Sequence, residues 1–386
     1  MKFLEKVRPP RTPEANLVIL DDIFPHLLSA FRIAEFNAYL SRYPKSFVYS
    51  TAAAFAAIDE RRSFREVRDE YLSVYPEFAG RVFPFSSQLP KADLIYFVFL
   101  HNAAVFMNVL ERTNTPFVFT LYPGFRRNEP DAVDLLRKVC ALPNLAKVIT
   151  TQTISHEYLL DFLEPEKIEF IYGGVFLSDR LARDNSATRK YYQKDKGTFD
   201  ICFVAFKYMA QGVDKGYDVF IEVARELCRL HDDVFFHVVG PFDRWDVDVI
   251  DLRGRIKFYG VRQTEFFPEF YAGMDLILAP NVPFVLRPGA FDGFPTGCCI
   301  EAGLCGVAVF CTDPLNLNVA FKDGEEIVIV PRDVEGICEA IESHYRDYDS
   351  LVQLARRGQK AFEVTFGLDN QMENRFKILD EYLLPT

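Results

Sequence analysis

The residues best placed to do chemistry lie between 289 and 310, where the chain reads GAFDGFPTGCCIEAGLCGVAVF. A loop rich in Gly and small residues runs into a short helix that carries Glu301 and stops at Gly306, before an apolar strand begins. Such a strand–loop–helix passage offers free backbone N–H groups to an anion, and a helix carboxylate behind them can accept hydrogen bonds from hydroxyls. The pattern alone also describes an ordinary surface loop followed by a solvated Glu.

Other chemistry-bearing groups are isolated. Asp246-Val247-Asp248 spells a D-x-D metal motif, but it stands in an acidic, Trp-containing stretch that reads as a solvated acidic turn. His101 and His156 each sit where an apolar run meets a loop, so each is a candidate base or an inert, hydrogen-bonded imidazole. Arg126, Arg127 and Lys138 can steer an anion or form a solvated helix face. The sequence holds no G-x-G-x-x-G, G-K-[ST] or H-E-x-x-H, which argues against dehydrogenase, P-loop and zinc-protease chemistry.

These groups have to be positioned by elements whose pattern is legible. Short apolar runs at 17–20, 46–49, 94–100, 116–121, 147–150 and 169–172 alternate with amphipathic stretches, and six more follow at 200–206, 234–239, 256–259, 276–279, 307–311 and 327–330. Runs apolar on both faces, spaced by helix-length segments, predict α/β architecture with parallel sheets covered on each side. With 386 residues, two doubly wound domains are expected rather than one wide sheet. Residues 180–196 carry six basic and two acidic side chains without strand patterning and read as a solvated linker. Met372, Phe376, Leu379 and Leu383 recur at helical spacing, so a terminal amphipathic helix needs a partner surface, for which the other domain is a candidate. The expected layout is therefore 1–180, a linker at 181–197, 198–366, and a closing helix at 367–386.

Composition bounds the partners. Apolar residues at 49% and charged residues at 26% describe a globular chain, and a net charge of −11 argues against a nucleic-acid binder. Of 38 Phe, most must serve packing. The eight Cys form no C-x-x-C pair and sit in apolar surroundings, as expected of buried thiols in a reducing compartment. The opening residues lack the apolar core of a secretory signal, and 94–110 is too short and polar for a membrane span, so a cytoplasmic protein is expected.

The order of the segments adds a resemblance. Residues 294–310, FPTGCCIEAGLCGVAVF, resemble the carboxy-terminal signature of glycosyltransferase family 4, where Glu-Gly-Phe-Gly-x-Pro precedes Glu-Ala-x-x-Cys-Gly-x-Pro-Val. The likeness continues through 203–216 with its Lys215-Gly216, then HVVG at 237–240, 256–260, YAGMDLILAP at 271–280 and 311–331, and covers roughly 199–380 in order. In the amino half PFVFTLYPG, 116–124, is similar to the family's Thr-x-His segment with Tyr122 in the His place, while FPHLLSAF at 24–31 replaces the usual Gly-Gly loop.

The resemblance implies a GT-B fold: two Rossmann-like domains facing across a cleft. It implies a retaining, metal-independent hexosyltransferase whose nucleotide-sugar donor is a co-substrate, with no cofactor beyond it. The acceptor would be a glycan or a lipid-linked sugar in polysaccharide biosynthesis, with room for peripheral contact at the inner membrane face. Lys215, and with a less secure register Lys207, would neutralise the diphosphate; two such cations at 4 Å each contribute roughly 4 kcal/mol at an effective dielectric near 20, before desolvation. Glu301 would hold the ribose, and backbone N–H groups from Phe294 through Pro295 and Thr296 to Gly297 would hold sugar and phosphates. The family's other Glu falls on Gly293 here, so Asp292, one residue earlier, would take its role if the helix start at 298–300 carried one extra residue. Tyr122 would contact the sugar but cannot titrate near neutral pH as His does. These departures leave open a non-catalytic sugar-nucleotide or glycan-binding protein on the same scaffold, and at lower weight an epimerase.

Overall fold

Strands buried on both faces need helices above and below, and the chain supplies them in alternation. The computed structural model describes residues 15–58, 62–86, 88–182, 189–252 and 254–384. In the first half β1 (Ala15–Asp21), β2 (Ser46–Ser50), β3 (Val82–Pro84), β4 (Ala92–Val98), β5 (Phe117–Leu121), β6 (Leu145–Thr150) and β7 (Ile168–Phe170) form a parallel sheet in the order β3-β2-β1-β4-β5-β6-β7. In the second, β8 (Phe199–Val204), β9 (Val234–Val239), β10 (Ile256–Phe258), β11 (Leu276–Ala279), β12 (Ala308–Cys311) and β13 (Val328–Ile329) form another parallel sheet, ordered β10-β9-β8-β11-β12-β13.

The helices between them are α1 (Ala30–Arg42), α2 (Phe64–Val74), α3 (Leu100–Arg112), α4 (Pro130–Cys140), α5 (Thr153–Leu159) and α6 (Ser178–Ala182) in the first half. The second half adds α7 (Tyr217–Leu230), α8 (Phe267–Ala272), α9 (Gly297–Leu304), α10 (Val334–Arg346), α11 (Tyr348–Phe366) and α12 (Leu368–Leu383). The architecture is α/β with two Rossmann-like domains. One expected strand count needs correction: the first sheet has seven strands, because the three-residue β3 at its edge is too short, and too close to Pro84, to show a periodic pattern.

Alternation along the central strands sends Leu17 and Ile19 to one apolar layer and Val18 and Leu20 to the other. Phenylalanines fill these layers, as in the parallel rings of Phe97 and Phe119 at 5.1 Å. After α11 the chain crosses at Gly367, and Met372, Leu379 and Leu383 of α12 join the layer built on Leu17 and Tyr39.

The solvated-linker reading fails where the chain is described. Arg189 donates to the carbonyls of Tyr271 and Met274, Tyr192 is buried, and Lys196 pairs with Asp200 and with Asp275 at 2.7 Å. Carbonyls and buried carboxylates at the amino ends of the central strands β8 and β11 give the basic side chains better partners than water. Residues 183–188 and the amino-terminal fourteen, on which the signal-peptide reading rests, lie outside the described residues. All eight cysteines are free thiols. Among the described residues no helix is long and apolar enough to cross a membrane.

Candidate active site between the two sheets

In each sheet the strand order reverses direction once, between β1 and β4 in the first and between β8 and β11 in the second. Loops at the carboxyl ends of such strands diverge and leave a crevice, the usual ligand position in open α/β sheets. Here the two crevices open into one cavity of about 1210 Å³, lined by Asp22, Arg32 and His101 from the first domain and by Lys207, Lys215 and Asp292 from the second.

Lys215 reaches the cavity because of the turn before it. Gln211 and Gly212 take left-handed backbone angles, and Gly216, at φ 69°, caps α7. A Cβ on Gly216 would lie 2.0 Å from the carbonyl oxygen of Pro280 at the exit of β11. That close approach brings Lys215 Nζ to 2.7 Å from both carboxylate oxygens of Asp292, while Asn281 donates to Asp292 Oδ2 at 2.6 Å. Burial works against the Lys215 ammonium, but the charge and hydrogen bonds of Asp292 outweigh it and hold the pKa above its ordinary value. The Lys215 side chain is 10% exposed and that of Asp292 37%, so a ligand meets the carboxylate more readily than the ammonium.

The loop carrying Asp292 is docked on the first domain. Gln152, buried at the exit of β6, accepts from the Phe294 N–H and donates to the Phe294 carbonyl, both at 3.2 Å. A Cβ on Gly293 would lie 3.1 Å from Pro123 and 3.2 Å from Gln152. Any side chain at 293 would start in tight contact with both, and the carboxylate that meets Lys215 is that of Asp292. Behind this loop α9 runs unbroken from Gly297 to Leu304. The expected row of backbone donors also shrinks, because the Phe294 N–H is taken by Gln152 and Pro295 has none. Gly293, Thr296 and Gly297 line the cavity and are the N–H groups it can use.

Glu301 lies one turn into α9, buried, and is not among the residues lining the cavity, unlike Gly297 and Ile300. Burial pushes its carboxyl up to about 7. Lys207 does line the cavity, but its ammonium pairs with Asp246 at 2.6 Å. Asp246 is therefore a partner of Lys207 and of the Asp243 N–H, in an acidic turn as expected. Among the described residues no group of His, Cys, Asp and Glu could hold a metal ion.

On the amino side Tyr122 presents its ring between Phe31 and Phe99, but its hydroxyl donates to buried Glu35 Oε2 at 2.9 Å. Burial first, then the Glu35 charge, raises the phenol above its ordinary range. The hydroxyl is thus already used inside the domain, which leaves the ring as the part of Tyr122 that a sugar could meet. His156 bonds Thr150 at 3.2 Å and packs on Phe170, a structural role. His101, by contrast, faces the cavity with Nε2 3.0 Å from Asp22 Oδ2. Its signal in the sequence was only that it follows an apolar run; Asp22, 79 residues away in the chain, carried none.

Two parallel α/β domains facing across a shared cavity define the GT-B architecture. Residues 199–347 match the family model described as Glycosyl transferases group 1. The solved structures similar to this chain include a glycosyltransferase from Rickettsia africae, 13% identical, with a TM-score of 0.69 over 96% of this chain and 99% of that one. Anabaena HepE in complex with UDP and glucose is 16% identical, with a TM-score of 0.68 over 95% and 100%. Sucrose-phosphate synthase from Thermosynechococcus elongatus is 13% identical, with a TM-score of 0.65 over 95% and 98%. At such identities the likeness is one of fold. No curated protein sequence matches the chain.

Proposed function

We propose that the protein is a glycosyltransferase that moves a hexose-type sugar from a nucleotide-sugar donor to a glycan or lipid-linked acceptor with retention of anomeric configuration. The observation that carries this reading is the Lys215–Asp292 pair at the switch point of the second sheet, inside the cavity both domains share. The family match over 199–347 and the UDP and glucose bound by HepE support it.

Negative charge grows on the diphosphate as the sugar departs. Lys215 meets that charge, with Lys207 as a second cation and the N–H groups of Thr296 and Gly297 at the head of α9 as neutral donors. Asp292 accepts hydrogen bonds from hydroxyls of the transferring sugar; Glu301, behind the cavity wall, supports the head of α9 from within rather than meeting the ribose directly. A diphosphate oxygen helps deprotonate an acceptor that attacks from the leaving-group face. Tyr122 adds an aromatic surface beside the sugar rather than a hydroxyl. A non-catalytic sugar-nucleotide binder remains the second reading, favoured by the engagement of the Tyr122 hydroxyl with Glu35.

Thermal-shift titration with UDP-, GDP-, ADP- and dTDP-sugars tests the donor site, because a bound ligand raises apparent stability by mass action. Stabilisation by one nucleotide series, lost in Lys215→Ala, is the expected result. No shift with any of them overturns the reading. Release of free sugar or transfer product from the bound donor separates the enzyme from the binder.

A further inference from the structure

We propose that the amino-domain half of the cavity binds the acceptor as a hydroxyl group carried on an apolar body, with the hydroxyl held by His101 and His101 oriented by Asp22. The proposal rests on the transferase reading and narrows its acceptor to the lipid-linked class, setting the glycan aside.

Asp22 leaves the end of β1 and His101 opens α3 just after β4, so the pair occupies the switch-point crevice of the first sheet. It faces Lys215 and Asp292, which occupy the equivalent crevice of the second. The two walls meet electrostatically at Tyr208, whose ring lies 4.9 Å from Lys215 Nζ and whose hydroxyl feels Arg32 of the first domain.

Asp22 is a fixed anchor. Arg32 bridges it and Asp21, at 3.2 and 2.9 Å, and the Asn102 amide donates to it at 3.3 Å. Burial alone would raise the Asp22 carboxyl, but the His101 hydrogen bond and the Arg32 charge bring it below its ordinary value. An imidazole that gives Nε2–H to this carboxylate keeps Nδ1 as an acceptor in its neutral form. Among the described residues nothing bonds Nδ1, and the side chain is 55% exposed. Phe99 holds the ring: it stacks on His101 at 5.4 Å from a backbone φ of 65°, a strained angle for a bulky residue.

Around this acceptor much of the wall is apolar: Ile23, Leu28, Phe31, Ile58, Phe99 and Leu135 line it. A free sugar needs many polar partners, and most of those nearby are engaged, the Thr151 hydroxyl being an exception. Ser29 accepts from Arg32, Gln152 is bonded to Phe294, and Arg126 is paired with Asp131 and Glu129. Burying a sugar's hydroxyls against such a wall leaves them unsatisfied, whereas an apolar body gains from it.

The test uses 7-hydroxy-4-methylcoumarin, 4-methylcoumarin and maltose as probes, titrated calorimetrically into the intact protein. The expected order is hydroxycoumarin tightest, 4-methylcoumarin weaker and maltose weakest. His101→Ala should weaken the hydroxycoumarin by about tenfold, the scale of one hydrogen bond, and leave 4-methylcoumarin within about twofold. Leu135→Asp should weaken both coumarins. Tighter binding of maltose, no coumarin binding, or equal losses for both coumarins in His101→Ala overturn the proposal. Lys215→Ala separates the two readings: it should abolish nucleotide-sugar binding and leave coumarin binding unchanged. Nucleotide binding without coumarin binding sinks the acceptor site alone; the converse sinks the donor site alone.

Discussion

Arg375 of the closing helix points its guanidinium at Glu35 of α1, Nε to Oε1 at 3.6 Å, with both side chains fully buried. The last helix of the chain is thereby tied by charge to the first domain. Glu35 also accepts hydrogen bonds from Tyr96 and from Tyr122 at the cavity wall, so α12 and the cavity share one buried anion. Removing one partner of such a pair leaves an uncompensated charge. Arg375→Met should cost about 3–5 kcal/mol in urea-denaturation stability, and Arg375→Met/Glu35→Gln together should cost less than the two singles summed. Strict additivity in that cycle would show that the two groups do not interact.

Lys215 carries the charge the proposed reaction needs. Lys215→Ala should lower the transfer or donor-hydrolysis rate by about 10²–10³ fold, the scale of losing one preorganised donor to a developing anion. It also leaves Asp292 with Asn281 alone, so Asp292→Asn combined with Lys215→Ala should be little worse than Lys215→Ala. Steady-state rates on the donor identified by thermal shift provide the check, and an unchanged rate in Lys215→Ala contradicts the assignment.

Gly216 has two reasons to be glycine: a left-handed φ and a carbonyl at 2.0 Å from any Cβ. Gly216→Ala should therefore destabilise the protein by about 2–4 kcal/mol and shift Lys215 off its place. Denaturant melts read the first effect and donor affinity the second. Gly254, with φ 78° and open space around it, supplies the control: its Ala variant should lose only about 1 kcal/mol.

Glu301 makes stability depend on pH. Its carboxyl is raised from 4.5 to about 7 by burial, so the folded state holds the proton more tightly than the unfolded chain. The neutral acid's contribution is complete below 4.5 and is lost as pH rises through about 7. Glu301→Gln, which cannot ionise, should match the native protein near pH 4.5 and become progressively the more stable of the two up to about pH 7. A stability difference that stays flat over this window rules out a buried, raised carboxyl.

Much of the architecture was readable in advance because its physics is local. Runs such as LVIL in β1 and LILA in β11 are apolar at every position, which only a strand covered on both sides tolerates. The order of motifs from 203 to 331 likewise pointed to the loops where Lys215 and Asp292 stand. β3 escaped because three residues ending in Pro carry no period, and 189–196 escaped because a basic segment reads as solvated until its carbonyl and carboxylate partners are known.

By itself the sequence determined the two-sheet α/β plan and the stretch from which donor-site residues come, since both depend on patterns along the chain. Folding decided the rest: that Gly293 is wedged against Pro123 and Gln152, so Asp292 faces Lys215, and that Phe294 and the Tyr122 hydroxyl are committed elsewhere. Folding also set His101 against Asp22. Hydrogen bonds and close contacts between residues far apart in the chain depend on distances of a few tenths of an ångström, which no periodicity encodes.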